Sequence, residues 1–170
     1  MIRLMAGVSA AGGATGSFWA WALLLPGLWL GGFRHRLGSL GAMLAGHWGL
    51  ELFFKYLIHR PRPPMEGQRL TYSFPSGHVL TATVLAGALL TLLLPACRHP
   101  CQRTLACALA VGWPLLVAFS RFELGRHYLT DIAGSLLLGS AWVCLCQAAI
   151  LALRRPDGAA GGRPRAGPER

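Results

Sequence analysis

Five long apolar runs, at about residues 17–33, 37–58, 79–96, 104–120 and 131–153, dominate the chain and leave it few ways to fold. Crossing about 30 Å of hydrocarbon takes roughly 17–25 residues of helix, and each run reaches or approaches that length. Isolated strands would leave backbone N–H and C=O groups unsatisfied in lipid, so the runs are read as helices. Charged residues make up only 13% of the sequence, against roughly 25% in an average soluble domain. A water-soluble protein this apolar would expose large greasy patches. The expected fold is all-α: a polytopic transmembrane bundle of about five spans, forming one domain over residues 1–155. Residues 156–170 are rich in Gly, Pro and Arg with no apolar period and read as a disordered basic cytoplasmic tail.

The first run contains Pro26 and several glycines and follows a stretch, 6–16, of small and mildly apolar residues. A cleaved signal peptide is the rival reading. The weakly charged start, with Arg3 alone, and an apolar stretch that runs straight into Arg34-His35-Arg36 favour a retained helix.

A net charge of +10 invites comparison with nucleic-acid binders. Those proteins cluster Lys and Arg on a soluble face or stripe. Here the cations fall in short connections between apolar runs and in the C-terminal tail, so nucleic acid is excluded as a partner in favour of a bilayer surface and phosphate groups. If five spans alternate, Arg34, Arg36, Arg98, Arg103, Arg154 and Arg155 share one side, which the positive-inside bias makes cytoplasmic. Segments 55–72 and 121–126 then face outward, and their cations need a different reason to exist. The N-terminus lies outside and the C-terminus inside, a multi-pass arrangement suited to a bacterial inner membrane.

Cysteines 97, 101, 107, 144 and 146 have no framework spacing, so no disulfide is expected. Cys97 and Cys101 with His99 between them fall short of the four ligands structural zinc normally takes, and read as residues around a helix end.

The outward segments carry three constellations. In the first, Lys55 is followed after six residues by Arg62-Pro63. Pro61, Pro63 and Pro64 end the preceding helix, since each residue before a proline is pushed extended. Lys55, the lone lysine among fifteen arginines, lies about one turn below this rim, within snorkelling reach of it. Cations at helix ends also serve as plain interfacial anchors. In the second, Pro75-Ser76-Gly77-His78 opens the third run. Glycine lets backbone approach an anion, and a helix start presents free N–H groups and a positive dipole end. Taken alone, His78 reads equally as a surface histidine near lipid headgroups.

The third constellation is Ser120-Arg121, five residues, His127, three residues, and Asp131. Four residues apart at a helix start, His127 and Asp131 share a face. A carboxylate on one imidazole nitrogen fixes the tautomer and leaves the other lone pair free to attack. The same spacing also suits a structural pair, although a charged residue in a membrane segment is a functional hypothesis by default.

Together the three stretches resemble the signature of the type 2 phosphatidic acid phosphatase (PAP2) superfamily, which also includes vanadium haloperoxidases and glucose-6-phosphatase-like enzymes. Residues 120–134 fit its third motif without a gap, and the resemblance covers about residues 40–150. It implies that Lys55, Arg62 and Arg121 bind phosphate oxygens, with hydrogen bonds from Ser76 and the Gly77 amide. It implies His78 as general acid, His127 as nucleophile and Asp131 as its orienting partner. Arg60-Pro61 is a second Arg-Pro pair, but only Arg62 has the six-residue gap after Lys55. Membrane members of the family usually have six spans, and this chain shows one fewer before the first motif.

The expected function is a hydrolase acting at the outer membrane–water interface. It would release phosphate from a lipid phosphate or lipid diphosphate through a phosphohistidine. Magnesium would want carboxylate ligands, and the outward segments offer little beyond Glu66, Glu123 and Asp131, so neither metal nor cofactor is expected. A lipid phosphotransferase using the same intermediate, and a non-enzymatic lipid-binding protein, are the alternatives. The large soluble haloperoxidases are a poor match.

Overall fold

A computed structural model of the chain describes residues 1–30, 34–64 and 71–153. Among these residues there are six α-helices and no strand: α1 (Ile2–Gly12), α2 (Ala14–Leu30), α3 (Arg34–Ile58), α4 (Gly77–Leu93), α5 (Pro100–Glu123) and α6 (Leu129–Leu153). A 3-10 turn, Leu94–Ala96, extends α4. The expected tail at 156–170, Glu66, and the arginines at 154 and 155 lie outside the described residues.

Helix α4 is the central element. Val79, Leu80, Ala82, Val84 and Ala88 are fully buried on it, because the other helices surround it. Lipid is as apolar as leucine, so membrane helices gain little from hydrophobicity alone and associate through close packing and polar contacts. Glycines permit the close approach: added Cβ atoms at Gly87 and Gly139 would overlap Val143 at 2.7 Å and Thr83 at 2.9 Å, and one at Gly46 would collide with Trp142. Polar links join the same helices, with Trp142 Nε1 donating to the Met43 carbonyl at 2.9 Å and Gln147 Nε2 to Thr91 Oγ1 at 2.7 Å. Large apolar side chains such as Leu105, Leu109, Leu137 and Leu145 point outward, as lipid-facing residues do.

Three helical segments of the described chain are long and apolar enough to cross a membrane: α4 with its 3-10 extension, α5 and α6. The sequence predicts five such runs. Helix α3 has the length, 25 residues, but carries His47, Glu51 and Lys55, and the last two serve the region described below.

The N-terminus differs from expectation. A single run at 17–33 is expected, whereas the chain is helical from Ile2 and breaks at Gly13, whose backbone is extended. Helix α1 spans 11 residues, about 16 Å at 1.5 Å per residue, and is too short and too rich in small residues to stand out as a span. It is held by packing. Gly12 sits against Val117, where a Cβ would collide, and Val8 joins the cluster of Val79, Ala82, Val117, Ala118 and Ile132. Ser9 meets Arg121 one turn away from the Gly12–Val117 contact, so α1 runs antiparallel to α5. Helix α1 therefore adds a helix ahead of the first motif that is too short to count as a candidate membrane span.

Candidate active site

Four helix ends and two connections meet at one end of the bundle: the C-terminal ends of α3 and α5, the N-terminal ends of α4 and α6, and the segments linking them. All eight residues singled out from the sequence lie there.

Helix α3 ends at Ile58. His59 adopts a left-handed backbone (φ 50°), and the proline-rich segment turns back across the bundle. Ser73 is pinned beside it, its N–H donating to the Arg60 carbonyl at 2.8 Å and its hydroxyl to the same oxygen at 3.3 Å. Helix α5 ends in a turn through Gly125, at φ 61°, where a side chain would strain the backbone. The Arg126 N–H closes that turn on the Arg121 carbonyl at 3.1 Å. These two reversals bring Ser73 and His127 together.

His127 is 4% exposed. Its Nδ1 donates to the Ser73 carbonyl at 2.9 Å, while Nε2 faces Arg62 NH1 at 3.5 Å. Burial, then the positive charges of Arg121 and Arg62, hold its pKa down at about 3, and the Ser73 carbonyl opposes them only in part. The imidazole is therefore neutral at ordinary pH, with the proton on Nδ1 and the lone pair on Nε2.

Asp131 Oδ2 stands 3.7 Å from His127 Nδ1, beyond hydrogen-bond range. The sequence reading gives Asp131 the imidazole directly; in the structure that hydrogen bond goes to Ser73. Asp131 is fully buried, accepts the Tyr128 N–H at 3.0 Å and pairs with Arg60 NH1 at 2.7 Å. Arg60 also donates to Thr130 Oγ1 at 2.6 Å and lies 4.3 Å over the Tyr128 ring. The second Arg-Pro pair thus clamps the start of α6, and Asp131 supplies negative charge beside His127 from a fixed position.

Arg62 is held by the Thr71 hydroxyl at 2.9 Å and the Thr71 and Arg126 carbonyls at 3.2 and 3.4 Å. Arg121 is buried. One of its terminal nitrogens donates to Ser9 Oγ at 2.6 Å, and its Nε has no partner among the described residues. The Ser76 N–H donates to Ser135 Oγ at 2.7 Å, and Ser135 in turn donates to the Asp131 carbonyl at 2.6 Å. Ser76 Oγ is buried without a hydrogen-bond partner among the described residues. A buried polar group with no partner requires an explanation, and an anion accepting from Ser76 and Arg121 is one.

His78 lies within electrostatic reach of Arg121, Arg62 and Lys55. The break at Gly13 lies against its ring, where a Cβ would come within 2.5 Å of Nε2. Lys55 is committed elsewhere: its Nζ pairs with Glu51 Oε1 at 2.5 Å. The Glu51 carboxylate in turn lies against Gly77, where a Cβ would overlap it. A carboxylate thus occupies the anion-favouring start of α4, beside the cation assigned to phosphate.

Glu51, Ser73 and Ser9 escaped the sequence reading. Glu51 has a recoverable signal, since Glu four residues before Lys on a helix is a favoured pair. Ser73 acts through its carbonyl, which every residue type possesses. Ser9 belongs to a helix identified by packing alone.

A family model described as the PAP2 superfamily matches residues 36–155. Among solved structures, the fold is similar to the crystal structure described as that of the first transmembrane PAP2 type phosphatidylglycerolphosphate phosphatase from Bacillus subtilis. The TM-score is 0.80 at 21% identity, covering 91% of this chain and 78% of that one. At this identity the likeness is one of fold. The matched span runs from the first turn of α3 to just past the end of α6 and takes in every residue of the three motifs, so the chain belongs to the PAP2 superfamily.

Proposed function

We propose that this protein is a metal-independent phosphatase of lipid phosphates or lipid diphosphates, working through a phosphohistidine on His127. The observation that carries the reading is the state of that imidazole: buried, neutral, oriented by the Ser73 carbonyl, with Nε2 beside Arg62.

In the first step Nε2 attacks phosphorus, the N–P bond forms, and the bond to the leaving oxygen breaks. Arg62, Arg121 and Lys55 stabilise charge on the equatorial oxygens, a role that magnesium shares in kinases. Ser76 Oγ and the Gly77 N–H donate to the same oxygens. For Lys55 to contribute, its ammonium turns from Glu51 or bridges it to the phosphate. His78, at the start of α4, hands a proton to the departing oxygen as general acid. In the second step His78 takes a proton from water, the resulting hydroxide attacks phosphorus, and the N–P electrons return to His127. Asp131 opposes the positive charge that develops on the ring.

The enzyme is proposed to sit in a bacterial inner membrane with the site facing outward. Arg98, in the α4–α5 connection, and Arg103, in the first turn of α5, lie at the end of the bundle opposite the site, which the positive-inside bias makes cytoplasmic. A phosphate held at the site lies at headgroup depth, with its tail leaving sideways into the bilayer. This concentrates and orients the headgroup.

The test is phosphate release by purified protein in mixed micelles containing excess chelator. Long-chain lipid phosphates are expected to be hydrolysed with much higher kcat/KM than glycerol phosphate or glucose 6-phosphate, and vanadate to inhibit. Activity lost in chelator and restored by magnesium would contradict metal independence. Equal efficiency on the soluble esters would contradict the lipid assignment, and phosphate release only when a second lipid acceptor is added would indicate a phosphotransferase. With a short-chain lipid phosphate given to intact spheroplasts, hydrolysis is expected without lysis; hydrolysis only after lysis would reverse the orientation.

A further inference from the structure

Two residues of the phosphate site are held from outside its three motifs. Arg121 and His78 both touch the corner between α1 and α2, and these two helices precede the matched span at 36–155. Ser9 and Gly13, four residues apart around the end of α1, make the two contacts.

Arg121 is 9% exposed and Ser9 4%. A terminal nitrogen of the guanidinium donates to Ser9 Oγ at 2.6 Å. A guanidinium is a rigid planar fork, so holding one terminal N–H fixes the direction of its other donors. One of these, Nε, is buried without a partner among the described residues, so the fork is aimed but not saturated. The contact is built into the packing of α1 on α5. Gly12 lets α1 close onto Val117, one turn before Arg121, and that approach brings Ser9 level with the guanidinium.

Gly13 faces His78. A Cβ added there would stand 2.5 Å from His78 Nε2 and 2.7 Å from its Cδ2, with the Ser9 carbonyl oxygen next at 3.3 Å. The Gly13 backbone, at φ −87° and ψ −171°, is extended and open to other residue types. Chain geometry therefore does not call for glycine at this position, whereas the imidazole does. A methyl group there would push the ring aside.

We propose that Ser9 and Gly13 are positioning residues of the phosphatase: Ser9 aims Arg121 at the phosphate, and the bare face of Gly13 leaves His78 the place from which it protonates the leaving oxygen. The inference rests on the phosphatase reading above and deepens it, extending the working site to the N-terminal helices. The two residues act on different parts of the reaction. Arg121 meets charge on the equatorial oxygens, whatever group leaves. His78 matters in proportion to how much the leaving oxygen needs a proton.

The experiment uses two phosphate monoesters in mixed micelles, one of a long-chain alcohol and one of a nitrophenol bearing the same chain. A nitrophenolate leaves unaided, whereas an alkoxide needs a general acid. In Gly13→Ala, kcat/KM on the alkyl ester is expected to fall roughly ten- to hundredfold, part of what a general acid contributes, while the nitrophenyl ester loses far less. The same substitution in a His78→Ala background, with no ring in the way, should cost no further activity on the nitrophenyl ester. In Ser9→Ala, kcat/KM is expected to fall about tenfold on both esters, the scale of a hydrogen bond to a charged group. Vanadate inhibition should weaken by a similar factor, and Ser9→Thr, which retains the hydroxyl, should restore both. Loss of packing alone would instead lower the two esters together in Gly13→Ala. Were that variant too unstable to assay, a restored melt in the His78→Ala background would support the inference, and instability there would overturn it. An alkyl-to-nitrophenyl ratio unchanged in Gly13→Ala, or wild-type vanadate inhibition in Ser9→Ala, would each overturn the inference while leaving the phosphatase reading intact. Release from neither ester by wild-type protein would remove the phosphatase reading and this inference together.

Discussion

Replacing His127 by Asn is expected to reduce phosphate release by at least about ten-thousand-fold, the scale seen when a nucleophile or its partner is removed from other hydrolases. Asparagine keeps an N–H donor for the Ser73 carbonyl, which accepts from Nδ1 at 2.9 Å in the native protein. The loss should therefore come without unfolding, as a thermal melt would check. No neighbour substitutes for the ring. His78 stands apart on α4, against the Gly13 break, and the nearby arginines have no free lone pair to attack with. The pH dependence follows from the same geometry. Burial, Arg121 and Arg62 hold the His127 pKa at about 3, so Nε2 keeps its lone pair at every pH above that value. Any acid limb in kcat/KM near neutrality should then persist in variants that alter the His127 environment modestly, because another group sets it. Substantial activity in pure His127→Asn protein would end the phosphohistidine account.

The second large effect is expected at Asp131. Asn at this position keeps the shape and one acceptor for the Tyr128 N–H, but removes the charge that pairs with Arg60 at 2.7 Å and stands 3.7 Å from His127. Transferring phosphate to Nε2 makes the ring cationic, and the missing carboxylate raises the energy of that state. The expected loss is about ten- to ten-thousand-fold in kcat, with KM changing less, as for orienting carboxylates elsewhere. Arg60 is 34% exposed and can recover water, so the stability cost should stay at about 1–3 kcal/mol. An Asp131→Asn enzyme with unchanged kcat would show that Ser73 alone supports the ring.

The two substitutions separate what was legible in the sequence from what was not. Residue types and spacings carry the motif residues: six residues between Lys55 and Arg62 and three between His127 and Asp131 are visible in one dimension. Helical spacing places Asp131 on the face of His127, but a distance of 3.7 Å against a hydrogen bond is decided by where Ser73 comes to rest. That position depends on the folding-back of the proline-rich segment, a tertiary event with no local signal. The orienting atom is a backbone carbonyl, to which side-chain chemistry gives no clue.

The long apolar runs give the bundle because a bilayer admits few alternatives. Helix α1 eludes that logic. Its small residues suit close contact with α5 and bury Ser9 against Arg121, so its stability resides in packing against a partner distant in sequence. Arg60 was visible as a duplicate Arg-Pro pair without a role, and the ion pair with Asp131 supplies one. Glu51 is the most instructive omission. A carboxylate beside Lys55 and Gly77 runs against the expectation of a purely cationic phosphate cradle, and attention to the favoured helical pair would have exposed it.

The most direct measurement is to mix purified protein with a lipid phosphate labelled at phosphorus, quench within the first turnover, and map the label by mass spectrometry under alkaline conditions that preserve phosphohistidine. Label on His127, formed and lost at rates compatible with turnover and absent in His127→Asn, is the predicted result. Full-rate phosphate release with no labelled His127 at any quench time, or label on another residue, would contradict the account.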